Sequence, residues 1–593
     1  MSEERPNRRR GSIAFLVLLW LLTQAVTILR QPLLDDVDST HSEAAREMLL
    51  RHDFVTLYVD GVRYLDKPPL PYWLAAGSMA IFGQHDWAIR IPLALAMLVL
   101  ILYVYRIGAR LYGERAGFYA GCAMATAIGP FVYTRFFIPD VMLALWITVA
   151  FDMTLRMTEE SERGRRASVA HAAVFALVCT AAVLTKGLIG VVFPLALLVG
   201  FLLFTGRLRL LLRMHPALGT LLFLVTAVPW HWLAVVQNAA SGESKGFFWF
   251  YFINDQVNRY LNTRIPRDYD KVPLLLFYGL LFVWVLPWGV FLWHAAAERV
   301  RGWRAGNHNL RTPGVLLAWW TVLIVGFFTF STRQEYYTLP AIPALALLTG
   351  AALARRDGEQ RRQWAYSALA VSGVLLGVLC LAVAAVSHPP AHEELWQTLQ
   401  KHPEDYALSF GHLFDFTESA FGFFRLPLLL MGVSLLVPTV AAWWLKRNGR
   451  SYAANVALAL GMCAVLCTIH VGLEYFYPIL GSKPLALALE KELRPGDRIV
   501  IDGQYSNNGG VNFYTHQPVW MLNGRTDTLW YGSLYADAPN RFETTTSLLA
   551  AWKSPQRVFF ITHSAVRTDR WLALFGGKRI VENGGKFVLL NHD

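Results

Sequence analysis

Long apolar runs recur through this chain, and the basic residues between them fall into a strict alternation. A membrane-spanning helix needs about 20 mostly apolar residues. Thirteen stretches fit, near 12–30, 87–107, 115–133, 139–156, 168–185, 187–205, 216–236, 273–294, 313–331, 336–353, 364–386, 423–445 and 452–473. The N-terminus carries Arg5, Arg8, Arg9 and Arg10; with it on the inner side, every second connection is basic. These clusters are Arg106, Arg110 and Arg115; Arg163, Arg165 and Arg166; Arg207, Arg209 and Arg213; Arg299, Arg301, Arg304 and Arg311; Arg355, Arg356, Arg361 and Arg362; and Lys446, Arg447 and Arg450. One miscounted span would invert the pattern downstream, so the alternation is the positive-inside rule at work. The first run, Ile13 to Leu29, is long for a signal-peptide core and has no small-x-small cleavage motif after it, so it reads as a retained span.

Composition agrees. Hydrophobic residues make up 55% of the 593 and charged residues only 16%, below the roughly one quarter of soluble domains. The net charge of +12 is therefore read as topology-setting rather than as a nucleic-acid surface. No nucleic-acid-binding motif is present. The five cysteines lie in apolar runs without a CxxC pair or a Cys/His cluster, which argues against structural zinc.

The predicted architecture is a polytopic α-helical membrane domain over 1–480 and a soluble α/β domain over 481–593. The outer side carries long loops at 31–86, 237–272 and 387–422. In the tail, Leu485 to Leu493 and Ser547 to Trp552 read as helices. Arg498 to Asp502, Phe513-Tyr514, Val519 to Met521, Arg557 to Ile561 and Lys586 to Leu590 read as strands.

Chemistry-bearing residues gather in the outer loops. Asp35, Asp36 and Asp38 follow the first span directly. Crowded carboxylates at a membrane surface suit cation binding or proton transfer; a solvated helix start, with Asp at the positive end of the dipole, explains them equally well. Next comes Tyr64-Leu65-Asp66-Lys67-Pro68-Pro69-Leu70-Pro71-Tyr72-Trp73, where Lys67 stands at headgroup depth, either facing a lipid phosphate or snorkelling beside Asp66. Asp140 opens the fourth span and Lys186 closes the fifth, positions at which an ionisable group is a functional candidate. Arg259 follows Asp255 by four residues, the spacing of a helical ion pair. Arg333, Tyr336 and Tyr337 lie in a later outer turn. Carboxylates, cations and aromatics thus collect at headgroup level rather than along a pore.

Taken in order, Ala45-Arg46-Glu47-Met48-Leu49, the Tyr64–Trp73 motif, Thr185-Lys186-Gly187 and Tyr336-Tyr337-Thr338-Leu339-Pro340 resemble the bacterial aminoarabinose transferases of lipid A and their protein O-mannosyltransferase relatives, membrane glycosyltransferases of the GT-C fold. The resemblance covers about residues 12–350. It implies an inverting transferase in the bacterial inner membrane. Its active site and C-terminal domain face the periplasm, its donor is a polyprenyl-phosphate sugar, and its acceptor is a lipid or glycan reached among membrane lipids. Aminoarabinose passed to lipid A is the best-known case, and another pentose or hexose passed to a glycan, lipid or protein is the alternative. A lipid-linked-sugar transporter without chemistry is the competing class.

The resemblance also implies site roles. A first-loop aspartate is the base, a role that falls on Asp36, then Asp38, then Asp35. The family's adjacent Asp-Glu pair, aligned without a gap from Met48, would fall on Val37 and Asp38, so the motif is altered here. Asp140 matches a second acidic position. Lys67, Arg259 and Lys186 are assigned to the donor phosphate, and Tyr64, Arg333, Tyr336 and Tyr337 to the substrate. Asp66 and Gln256 stand at positions that hold a divalent metal in aminoarabinose transferases. Glutamine is a poor transition-metal ligand, so no cofactor is certain and a metal is left open.

Overall fold

The computed structural model describes residues 6–267, 271–304, 309–355, 364–399, 415–526 and 529–592. Arg5, Arg356, Arg361 and Arg362, and residues 400–414 of the loop at 387–422, lie outside the described residues.

Helices occupy all thirteen predicted stretches, but not all as single spans. Among the described residues nine helices are long and apolar enough to cross a membrane; they range from Arg9–Ile28 near the N-terminus to Ser451–Leu480. A tenth span follows if Leu274–Trp284 and Trp288–Ala297, bent by 95° to one another, are counted together. Two expected spans, Ile189–Phe204 and Pro313–Thr329, are shorter helices. The stretch predicted at 115–133 is broken at Ala127, where extended backbone (ψ 144°) separates Glu114–Thr126 from Ile128–Tyr133. Pro130 falls two residues into the second piece, where its missing N–H costs no helical hydrogen bond. Large exposed apolar side chains such as Leu221, Val225, Val228 and Trp232 stand on the Pro216–Gln237 helix, as expected of a face turned to lipid.

The tail forms a six-stranded sheet in the order β5-β4-β3-β6-β8-β7. Its strands are β3 (Arg498–Asp502), β4 (Val519–Leu522), β5 (Phe542–Glu543), β6 (Val558–Thr562), β7 (Lys578–Asn583) and β8 (Lys586–Leu590). Strands β3 to β6 run parallel, and the β7–β8 hairpin adds antiparallel strands at one edge. Phe513-Tyr514, expected as a strand, lies instead in the helix Gly509–Thr515. Two aromatic residues are too short a run to separate the two states.

The two faces of this sheet serve different neighbours, as the period of two along a strand requires. Val500, Phe560 and Leu589 pack with Trp552 and Trp571 of the domain's own helices. Ile499, Ile501, Phe559 and Val588 share a core with Leu33, Met48, Tyr64 and Tyr72 of the first loop. The first loop, with its helices Val37–Arg51 and Leu70–Phe82 and the small hairpin β1 (Tyr58–Val59) and β2 (Val62–Arg63), thus folds as part of the base of the C-terminal domain. Each large apolar side chain buried there contributes roughly 1.5–3 kcal/mol.

Candidate active site

The three loop aspartates have three different environments. Asp38 is fully buried. It pairs with Arg90 at the start of the second span and accepts from the backbone N–H groups of Leu34 (3.1 Å) and Phe137 (2.9 Å). Arg90 also donates to the carbonyls of Gln31, Pro32 and Asp86. This pair ties the loop to the membrane domain, and it is where the structure places Asp38, expected as the second base. Asp35 is turned toward the C-terminal domain, where Ser482 Oγ and Lys586 Nζ each donate to it at 2.6 Å. Asp36 alone of the three is exposed. It caps the Val37–Arg51 helix with a positive φ of 69°, a region that costs a non-glycine residue of order 1–3 kcal/mol and persists only where its surroundings over-determine it.

One turn into that helix, His41 joins the loop to a cluster of charges. Its Nδ1–H donates to the Phe137 carbonyl (2.8 Å), which leaves Nε2 to accept from the Tyr64 hydroxyl (3.0 Å). Burial, helped by the Lys67 ammonium, pushes the imidazole down to about 3, so it is neutral near pH 7. Lys186 and Asp66 also lie within its electrostatic reach.

The cluster itself contains four cations and three carboxylates. Lys67 Nζ pairs with Asp66 (2.8 Å), which is also approached by Arg264 Nη2 (3.5 Å). Arg264 Nε and Arg259 Nη1 both lie 3.0 Å from Asp255 Oδ1. Lys186 pairs with Asp140 (2.7 Å). The cluster carries one net positive charge before any ligand arrives. Burial alone would push the Asp66 carboxyl up, but Lys67 and Arg264 outweigh it and hold the group below the usual carboxylate range. Tyr337 lies within reach of Arg259, Asp140, Asp255 and Lys67, which draws the pairs into one site.

Local structure explains these positions. Asp140 begins its helix and Lys186 ends its own, so each sits where the helix dipole favours its charge. Gly187 follows with φ 86°, and a Cβ there would meet the Gln256 carboxamide at 2.7 Å. Trp249–Asn258 is wound as a π-helix, a distortion frequent at functional sites. Arg264 is set by Asn254, whose side-chain oxygen accepts from the Ile265 N–H (3.0 Å).

Among the other expected substrate contacts, Tyr336 and Tyr337 present their rings to Lys186 Nζ at 5.2 and 5.6 Å. Tyr64 is buried against His41. Arg333 is not brought into the site; it donates to the carbonyls of Val272 and Thr329, both at 2.9 Å. His41 and Arg264 were missed in the sequence. Neither stands in a motif, and only the folded chain shows that Arg264 lies between Asp66 and Asp255.

The same geometry tests the metal. Gln256 Oε1 accepts from the Leu188 N–H at 3.1 Å, and Asp66 is taken up by Lys67 and Arg264. Among the described residues no three His, Cys, Asp or Glu side chains converge as a ligand set. The residues present do not fit a divalent ion.

Comparison with known proteins follows the same line. Residues 66–232 match the family model described as dolichyl-phosphate-mannose-protein mannosyltransferase. The chain is similar to the undecaprenyl phosphate-alpha-4-amino-4-deoxy-L-arabinose arabinosyl transferase of Pseudomonas aeruginosa strain LESB58, with 27% identity over 66% of this chain and 67% of that one. The enzyme of the same description from Aeromonas salmonicida strain A449 is also 27% identical, over 64% of this chain and 66% of its own. The chain thus spans about two thirds of the length of these relatives. The crystal structure of ArnT from Cupriavidus metallidurans bound to undecaprenyl phosphate superposes with a TM-score of 0.78 at 22% identity, covering 98% of this chain and 97% of that one. The fold is therefore GT-C, as the sequence resemblance implied.

Proposed function

We propose that this chain, a polytopic membrane glycosyltransferase of the GT-C fold, moves a sugar from a polyprenyl-phosphate donor to an acceptor on the periplasmic face of the bacterial inner membrane. The observation that carries this reading is the cluster of Lys67, Lys186, Arg259 and Arg264, grouped where the spans end. Such a cluster complements a lipid-linked phosphate, whose charge grows as it leaves.

In this reading the Asp36 carboxylate activates the acceptor's hydroxyl or phosphate group, taking its proton where it carries one. The acceptor oxygen bonds to the sugar C1 as the bond from C1 to the phosphate oxygen breaks, with inversion. The electron pair goes to the phosphate, which Lys67, Lys186, Arg259 and Arg264 stabilise, while Tyr336 and Tyr337 border the substrate. Asp255 and Asp66 hold the guanidinium groups in place, and His41, being neutral, fixes Tyr64 without adding charge. No step requires a metal. Aminoarabinose is the first donor to try, since it appears in the names of the similar transferases; another pentose or hexose is the alternative. A transporter would need ionisable groups near the bilayer midplane, whereas the pairs described here cluster at span ends.

The test supplies membranes containing the chain with a panel of radiolabelled polyprenyl-phosphate sugars. Loss of one donor, with label captured on an acceptor, is expected; it names the sugar and the acceptor class together. No donor consumed by folded protein with envelope acceptors present would refute the proposal.

A further inference from the structure

The C-terminal domain reaches the acidic loop through the tip of its edge hairpin. Gly584 and Gly585 join β7 to β8 with φ 59° and 76°, the positive values that a two-residue turn of this hand needs at both positions. A Cβ on Gly584 would stand 2.0 Å from the Pro478 carbonyl oxygen. The turn is therefore seated flush on the last turn of the final spanning helix, and only glycine permits it. The next residue, Lys586, is buried beneath the loop. Its ammonium has three protons and three acceptors: Asp35 Oδ2 (2.6 Å), the Gly481 carbonyl (2.7 Å) and Ser482 Oγ (3.2 Å).

Asp35 is held from the same side throughout. Ser482 Oγ donates to Oδ2 (2.6 Å) and the Gly510 N–H to Oδ1 (3.0 Å). The Asp35 N–H donates to the Leu480 carbonyl (2.8 Å), and the Asp36 N–H to the Ser506 carbonyl (2.7 Å). Beyond Asp36, its own carbonyl accepts from Thr40 Oγ1 (2.7 Å). The strained peptide at Asp36 is thus gripped on both sides, and the grip on its N-terminal side comes from residues 480–586. A buried ion pair of this kind adds little stability on average; its better-attested use is to fix one arrangement.

We infer that Lys586, through Asp35, is a positioning residue that holds Asp36 in its working backbone conformation, so that the C-terminal domain completes the active site. The inference rests on the reading of Asp36 as the base. Misplacing a reacting group by about 1 Å costs about 10²-fold in rate, and the donor phosphate site is built from other residues, so the effect falls on turnover and not on donor binding.

The experiment uses the full chain in nanodiscs and compares wild type with Lys586→Met, Asp35→Asn and the double variant. It reads kcat, affinity for polyprenyl phosphate and the melting temperature. Each single variant is expected to lower kcat about 10- to 100-fold while phosphate affinity stays within about twofold. The double variant should be no worse than the singles, because the two residues act as one unit. Unchanged kcat in the singles, additive losses in the double variant, or loss of affinity in step with kcat would each overturn the inference. The last outcome would mean that Lys586 merely supports the fold. A wild-type chain that turns over no donor, or an Asp36→Asn variant with full activity, refutes the reading of the site itself and is recognised separately.

Discussion

Replacing Lys67 by alanine removes the ammonium from the proposed leaving-group site, and its consequences divide between chemistry and fold. At an effective dielectric of about 20, a phosphate oxygen about 3 Å from an ammonium gains roughly 5 kcal/mol gross. Ground-state donor shares most of that gain, so the part specific to the transition state is smaller. Removal of one donor from a preorganised anion site costs about 2.7–4 kcal/mol, or 10²- to 10³-fold in kcat. The structural part arises because Asp66, with a side chain only 2% exposed, loses its partner at 2.8 Å and keeps Arg264 at 3.5 Å. An under-satisfied buried carboxylate costs at least about 1–3 kcal/mol. The pair Lys67→Ala and Lys67→Ala/Asp66→Asn separates the two. The second substitution should restore the melting temperature of the detergent-solubilised protein without restoring turnover, followed by release of label from the donor. A folded Lys67→Ala chain with more than about a third of wild-type kcat would refute the assignment of this cluster to the leaving phosphate.

Asp36→Asn should lower kcat about 10²- to 10⁴-fold at unchanged donor affinity, whereas Asp38→Asn should act on stability, by about 3–5 kcal/mol, because it leaves Arg90 buried and uncompensated; thermal melts beside kinetics tell the two apart. Prolonged chelation followed by metal analysis should leave activity intact, since Gln256 and Asp66 are already engaged; chelator-sensitive turnover restored by a divalent ion would contradict this. His41 ties stability to pH. Its folded value of about 3 lies below the ordinary 6.5, so below pH 6.5 the unfolded chain binds a proton that the folded chain does not. Stability should therefore fall by about 1.4 kcal/mol per pH unit, roughly 2 kcal/mol by pH 5. Melts of wild type and His41→Gln across this range check it, and parallel curves would show that His41 is not the group responsible.

The membrane architecture was legible because it rests on one-dimensional signals: apolar runs long enough to span, and arginines that alternate between sides. Where a run was long but interrupted, as at Ala127, or bent, as between Trp284 and Trp288, hydropathy could not see the break, because a turn of extended backbone leaves composition unchanged. In the tail, Arg498–Asp502 and Val519–Leu522 read correctly because buried parallel strands are continuous apolar runs, while β7, with Lys578, Arg579 and Glu582 on an open edge, carries no such run. The site was legible as a list of residues but not as an arrangement. Lys67, Arg259, Lys186 and Asp140 stand in motifs. Arg264 and Lys586 look like ordinary basic residues, and what they do follows from contacts such as that between Asp35 and Lys586, 551 positions apart in sequence. The tandem Asp35-Asp36-Val37-Asp38 looked like one acidic motif, yet its members have three environments: contacts with the C-terminal domain, an exposed position at the helix start and a buried pair with Arg90.

Phosphorus NMR on the purified chain in nanodiscs follows the leaving phosphate itself. The experiment supplies a polyprenyl-phosphate sugar together with envelope lipids and glycans as acceptors. Breaking the bond from C1 to oxygen turns the donor's phosphodiester into a phosphomonoester with a distinct resonance. The monoester should grow with the wild-type chain, while with Lys67→Ala or Asp36→Asn the diester should persist. A diester signal that persists with folded wild-type protein, or a monoester that grows equally with both variants, would contradict this.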